Sequence, residues 1–368
     1  MNLDEVVSAS RVVVCCGSGG VGKTTTAALV ALHAARTGRR SVVVTIDPAR
    51  RLANALGLAH LSDEASTIDG PWPGEMHALM LDTKATFDGL VRRYAADDQQ
   101  AEQILANRFY QNISGSLSGT QEYMASERLY ELAIESDYDL VVVDTPPTRN
   151  ALDFIDAPQR LARFLDHRIY KILINPSKGP IRAVNLAAAA VTRSLAKVVG
   201  ADVIGDAIEF FRAFDGMEEG FARRAERVDE LLREPTTSFL LVASPKADTV
   251  AEAGYFAERL GELGIDVRGL VVNRMQPAFD FSTDRPELAG TAVRARAATL
   301  SGTALGDLYT GLADARQLAA AEEEHLSGLA ERVAPAPVVR VPIQAAEVND
   351  LDALDHLADL VLGPVVDS

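Results

Sequence analysis

Eight residues, Gly17-Ser18-Gly19-Gly20-Val21-Gly22-Lys23-Thr24, narrow the fold of this chain more than any other stretch. They spell G-x-x-x-x-G-K-[ST]. An apolar β-branched run, Val12–Cys16, directly precedes them, and a helix-like segment, Thr24–Arg36, follows. Strand, glycine-rich turn and helix start, in that order, form a phosphate cradle. The glycines let backbone N–H groups turn inward, and the helix N-terminus adds its dipole. In such a loop Gly19, Gly20, Val21 and Gly22 surround the phosphates and Lys23 sets an ammonium on the β- and γ-phosphates. The Thr24 hydroxyl can ligate Mg²⁺, and Thr25 sits where an α-phosphate is held. The expected ligand is therefore a nucleoside triphosphate with Mg²⁺.

A phosphate loop of this kind needs a carboxylate near its metal. Tyr138-Asp139-Leu140-Val141-Val142-Val143-Asp144 is an apolar strand that ends in one, so Asp144 is expected beside Mg²⁺. Further apolar runs are Val42–Ile46, His77–Leu81, Phe239–Ala243, Leu270–Val272 and Val338–Val341, with helix-like segments between them. Runs that are apolar throughout fit parallel strands covered on both faces. The expected fold is α/β, a mostly parallel twisted sheet flanked by helices with right-handed crossovers. Residues 84–137 and 156–235 interrupt the alternation and read as helical. They are expected to form one helical subdomain on a phosphate-loop domain made of residues 1–83, 138–155 and 236–368. Two apolar stripes mark the second insertion, Ile204, Ile208, Phe211 and Phe214, and Val184, Ala187, Val191, Leu195 and Val198. Such stripes are more often core than a groove for a hydrophobic client. Residues 312–333 read as an exposed amphipathic helix.

Composition excludes several functions. The chain has 368 residues, 48% hydrophobic and 24% charged, which is ordinary for a folded protein. Its net charge of −16 opposes phosphate backbones and anionic lipid, so no nucleic-acid partner is expected. Cys15 and Cys16 are its two cysteines and are adjacent, which gives neither a disulfide framework nor a thiolate cluster. The start, MNLDEVVSAS, lacks the features of a signal peptide, and no apolar run reaches the roughly 18 residues of a membrane span. A cytoplasmic protein is expected, meeting a membrane only transiently through a partner.

The loop GSGGVGKTT, with Asp47-Pro48-Ala49 after the second strand and Asp144-Thr145-Pro146-Pro147-Thr148 after the Asp144 strand, resembles the deviant Walker A class of P-loop proteins. Within it the chain resembles the arsenite-pump and tail-anchored-protein-targeting ATPases, the ArsA/Get-type family. Val271-Val272-Asn273-Arg274 is similar to that family's adenine-contacting segment, and Val341-Pro342-Ile343-Gln344-Ala345-Ala346-Glu347-Val348 to its late adenine loop. The resemblance implies ATP hydrolysis with Mg²⁺. It implies that Asp47 orients the attacking water, and that Asn273, Pro342 and Ile343 hold the adenine. It also implies two switches, residues 47–56 and 144–154, which couple the γ-phosphate to the helical subdomain of a dimer. The client of such a dimer would be a hydrophobic or membrane protein.

The departures fall at the switches. The family's loop carries a signature lysine that reaches the partner's nucleotide, and Ser18 stands in its place. A hydroxyl has no charge, and a cation supplied in trans can be worth about 10³–10⁵ in rate. Either the homodimer is a slow ATPase, or the chain pairs as a heterodimer with a paralogous ATPase that kept the lysine. A weakly hydrolysing nucleotide sensor and the energising subunit of a membrane anion transporter are the alternatives. Arg50, Arg51 and Arg149 are candidates to compensate in cis, although surface ion pairing is the commoner role of such residues. Lys246 stands where the family often has an acid, and Arg149-Asn150 replaces a Gly-His pair. No C-x-x-C is present, so neither a zinc clip nor an iron–sulfur cluster is expected. Two adjacent thiols in a strand do not make the thiolate cluster that a metalloid site needs, so none is expected.

Overall fold

The apolar runs pair edge to edge. A computed structural model describes residues 2–47, 51–113, 120–166, 201–279 and 288–365. Pro48, Ala49, Arg50, His167 and the Val184–Val198 stripe lie outside them, as do the side chains of Arg149 and Asn150. The strands are β1 (Val12–Gly17), β2 (Arg40–Thr45), β3 (Ser66–Ile68), β4 (Glu75–Met80), β5 (Leu140–Asp144), β6 (Thr237–Ala243), β7 (Val267–Met275) and β8 (Val338–Pro342). They form one sheet in the order β3-β4-β2-β5-β1-β6-β7-β8. Every pairing is parallel except that of β3 with β4. Strand β3 carries no signal in the sequence. It is three residues long, Ser-Thr-Ile, too short and too polar to stand out.

Both faces of the sheet are covered, which is why the central strands are apolar at every position. Val12, Val14 and Cys16 pack into one core, with Phe154, Val228, Phe256 and Leu329. Val13 and Cys15 pack into the other, with Leu29, Leu32, Leu354 and Val361. Both thiols are therefore inert packing groups. Burial holds Cys16 protonated, its pKa pushed up to about 12, and raises Cys15 as well.

Register places the chemistry. Asp144 lies opposite Cys15 of β1 on one side and Thr45 of β2 on the other. The ends of the three central strands thus stop at one level, just where the glycine-rich loop begins. Helix α1 (Leu3–Ala9) precedes β1, α3 (Arg51–Ala55) follows β2, and α4 (Thr83–Tyr94), α5 (Asp98–Ala106) and α6 (Arg108–Ile113) follow β4; after the loop comes α2 (Lys23–Arg36). Its N-cap, Gly22, sits in the left-handed region at φ 104°, and no side chain caps the helix. The first-turn N–H groups of α2 are left without a side-chain acceptor, which suits an anion.

The helices of the two insertions share a third core, built from Leu90, Ile104, Tyr110, Met124, Phe210, Phe214 and Phe221. Phe210 and Phe214 are buried there, so that part of the aromatic stripe packs as core. The bounding helices are continuous with the sheet. Helix α7 (Thr120–Tyr130) gives Tyr123 and Met124 to this third core and Ala125 and Leu129 to the sheet core. Helix α8 (Thr148–Asp166) and the helix Glu218–Arg233 change cores partway along in the same manner. Residues 312–333 fall within one long helix, Ala304–Val333.

Candidate functional site

A cavity of about 550 Å³ opens beside the loop. Gly20, Gly22, Lys23, Thr24 and Thr25 line it from the loop, and Arg51 and Asn54 from the segment after β2. Asn273 and Arg274 line it from the end of β7, and Ile343 through Asn349 from the loop after β8. Four distant stretches of sequence thus meet around one space, because parallel strands all deliver their loops to the same edge of the sheet.

Asp144 is 1% exposed. Its Oδ2 accepts the Thr24 hydroxyl at 2.8 Å and the Thr45 hydroxyl at 3.0 Å. Its Oδ1 is buried without a hydrogen-bond partner. Burial, only partly offset by those hydroxyls, raises the carboxyl from its usual range to about 6. An orphaned buried carboxylate oxygen is costly unless something claims it. Beside a threonine hydroxyl it presents hard oxygen donors of the kind that Mg²⁺ takes together with phosphate oxygens. Among the described residues no group of three or more His, Cys, Asp or Glu is placed to hold a metal by itself. A cation bound here would therefore need oxygens from a ligand.

Lys23 is 6% exposed, and its Nζ donates to the Ser18 carbonyl at 2.8 Å. Burial lowers its pKa. Ser18 is itself buried, with no partner for its Oγ. Thr45 was not singled out from sequence, although it ends β2 two residues before Asp47. Besides bonding Asp144, its Oγ1 accepts the Asp47 N–H at 3.2 Å, which ties the two acids together. Thr145 anchors the segment after β5 by donating from Oγ1 to the Cys15 carbonyl at 2.8 Å. The Arg51 guanidinium stands 3.6 Å from the Asp47 carboxylate.

Asn273 is engaged at both ends of its amide. Nδ2 donates to the Val21 carbonyl at 2.9 Å, and Oδ1 accepts the Arg274 N–H at 2.9 Å. The fit is close enough that a Cβ on Gly22 would sit 2.3 Å from Asn273 Nδ2. Only glycine serves at position 22, on this ground as well as on its φ. Arg274 is held in the left-handed region at φ 63°. Ile343 is half exposed and faces the cavity, whereas Pro342 is not part of its wall and its carbonyl accepts from Gln344. Gly19, Val21, Asp47 and Asp144 are not among the residues that line the cavity.

A parallel sheet with a phosphate loop after β1 and a carboxylate at the tip of the adjoining strand defines a P-loop nucleoside triphosphatase. The family model described as anion-transporting ATPase matches residues 10–286, and the chain belongs to that family, the ArsA/Get-type ATPases. It is similar to the ATPase get3 of Schizosaccharomyces japonicus, 22% identical over 352 residues, which is 95% of this chain and 92% of the relative. It is similar to the ATPase ASNA1 homolog of Entamoeba dispar, 26% identical over 286 residues, covering 76% and 81% of the two chains. The ATPase ARSA2 of Chlamydomonas reinhardtii is 25% identical over 262 residues, covering 70% and 66%. By its family the chain is an ATP-binding hydrolase. No described helix is long and apolar enough to cross a membrane.

Proposed function

We propose that this ATPase uses Mg²⁺-dependent ATP binding and hydrolysis to switch a dimer and its helical subdomain, in targeting or chaperoning a hydrophobic or membrane-protein client. The observation that carries the proposal is the buried, partnerless Oδ1 of Asp144, whose Oδ2 accepts the hydroxyl of Thr24 from a cradle lined by Thr24 and Lys23. Thr24 and Asp144 would hold Mg²⁺, which when bound supplies charge neutralisation at the β- and γ-phosphates. Lys23 would leave the Ser18 carbonyl for the phosphates. Asp47 would orient the attacking water, and its N–H bond to Thr45 fixes its distance from Asp144. Ile343 and the loop that follows it offer an apolar face to the adenine. Asn273 acts first on the loop, through Val21.

Pairing follows from Ser18. Its side chain is buried and uncharged, so this chain offers its partner no cation at that position. A heterodimer with a lysine-bearing paralogue would complete this chain's site and leave the paralogue's own site incomplete. Steady-state turnover with Mg²⁺ tests this, using the pure chain, an Asp47→Asn control, and each mixed with the paralogue. The expected result is slow hydrolysis alone and a gain on mixing that the control lacks. Full turnover by the chain alone removes the reason for a second kind of subunit. Background hydrolysis in every mixture favours a nucleotide sensor, the reading that the buried Ser18 supports. A stable complex with an integral membrane protein would favour the transport role.

A further inference from the structure

Two arginines line the cavity, Arg51 and Arg274, and they differ in what holds them. Arg274 follows Asn273, which fixes its backbone N–H, and it stands at the β7 end of the cavity. Arg51 stands on the segment after β2, its Nη1 3.6 Å from Asp47 Oδ2, with its side chain 60% exposed. That separation is too long for a hydrogen bond, and an exposed ion pair of this kind is weak. A phosphate offers the same guanidinium a shorter, bidentate, charge-assisted contact. Arg51 also lies close enough to Lys23 to disfavour its charge, so two cations already repel one another across this space. An anion between them relieves that repulsion. Ser18 supplies no cation from the loop itself, and its hydroxyl is buried.

Granting that the cavity is the nucleotide site, we propose that Arg51 is the second phosphate-directed cation of this chain, supplied in cis. In the structure it rests against Asp47. When a triphosphate binds, it transfers to the terminal phosphate and gives up that contact with the Asp47 carboxylate. One exposed ion pair then distinguishes triphosphate from diphosphate, because only the former brings a phosphate to that end of the cavity.

Calorimetric titration of the full-length chain with Mg-ATPγS and with Mg-ADP tests this, in wild type, Arg51→Ala, Arg51→Lys, Arg274→Ala and Lys23→Ala. Loss of a charge-assisted contact should weaken ATPγS binding to Arg51→Ala about tenfold or more, while ADP binding changes by less than about twofold. Arg51→Lys should recover part of the loss, because an ammonium keeps the charge but not the fork. Arg274→Ala should not discriminate between the two nucleotides. Equal weakening of both nucleotides by Arg51→Ala, no weakening at all, or the same discrimination in Arg274→Ala overturns the proposal. Lys23→Ala separates this failure from a deeper one. It should lose both nucleotides, and if it does while Arg51→Ala loses neither selectively, only the role of Arg51 falls. A wild-type chain that binds neither nucleotide overturns the site along with it. The exposed Arg51 side chain can be removed without opening a core, and unfolding curves for each variant confirm that it is folded.

Discussion

Asp144 shows how one residue can be both a liability and a tool. Its carboxylate is buried, accepts two hydroxyls through one oxygen, and has no protein partner for the other oxygen. Its pKa is raised to about 6, so the folded chain binds a proton there more readily than the unfolded chain does. The sign follows from linkage. Well below the unfolded-state value of 3.8, where both states are protonated, this group's contribution to stability is present in full, and it is lost as pH rises through about 6. Above that the group is ionised in its buried position. Asp144→Asn keeps the shape and removes the charge. In metal-free buffer at pH 7.5 it should stabilise the chain by about 1–3 kcal/mol, and the gain should vanish toward pH 4. Chaotrope unfolding of both proteins at several pH values measures the difference. A gain that does not depend on pH would assign it to packing and not to the buried charge.

The same residue marks how much could be read from sequence. Asp144 was visible because it ends an apolar run in a chain with a phosphate loop, and both features are local. Thr45 and the Asn273 clamp on Val21 were not visible in those roles, because each depends on which strands lie side by side. Sequence spacing orders the strands along the chain but not across the sheet. Asn273 was expected to hold adenine through the family resemblance, and the structure adds that both ends of its amide are already engaged.

At the scale of elements, three helices join the insertions to the sheet, and a buried ion pair sits where they change cores. Arg224, on the helix Glu218–Arg233, and Glu127, on α7, are each almost fully buried and are joined by hydrogen bonds from Nε of 2.7 and 2.9 Å. Arg224 also reaches Glu135, which pairs with Arg93, and its guanidinium lies 4.0 Å over the Tyr130 ring. Burial raises the Glu127 pKa against the pull of Arg224. Removing one partner from such a pair leaves an uncompensated charge in the interior. Arg224→Ala should therefore cost about 3–5 kcal/mol, whereas Arg224→Met combined with Glu127→Leu should cost much less. Equilibrium unfolding of the two variants decides. A single-variant loss under about 1 kcal/mol would mean that water reaches the pair, and that it is a surface contact in effect. No sequence pattern announces this pair, because its members are 97 residues apart and each sits in a helix of otherwise ordinary charge.

On the scale of the whole molecule, continuity of those helices bears on how a change at the phosphates could travel. The sequence suggests boundaries near residues 83, 137, 155 and 235, with a helical subdomain set on the sheet. Helix α8 starts four residues after Asp144 and runs from the sheet core, through Phe154 and Ile155, to the third core at Ala157. Packed helices move as bodies, because close-packed interiors do not deform continuously. If nucleotide binding displaces the start of α8, its far end should move with it and carry α7 and the helix Glu218–Arg233, which share both cores. Hydrogen exchange of the full chain, with and without Mg-ATPγS, reads this directly. Protection should change together in α8, α7 and Glu218–Arg233, on both sides of the change of cores, and Lys23→Ala should abolish all of these changes at once. Changes confined to residues 144–154 would show that the switch is absorbed locally. The helical insertion would then need a signal from elsewhere to learn which nucleotide is bound.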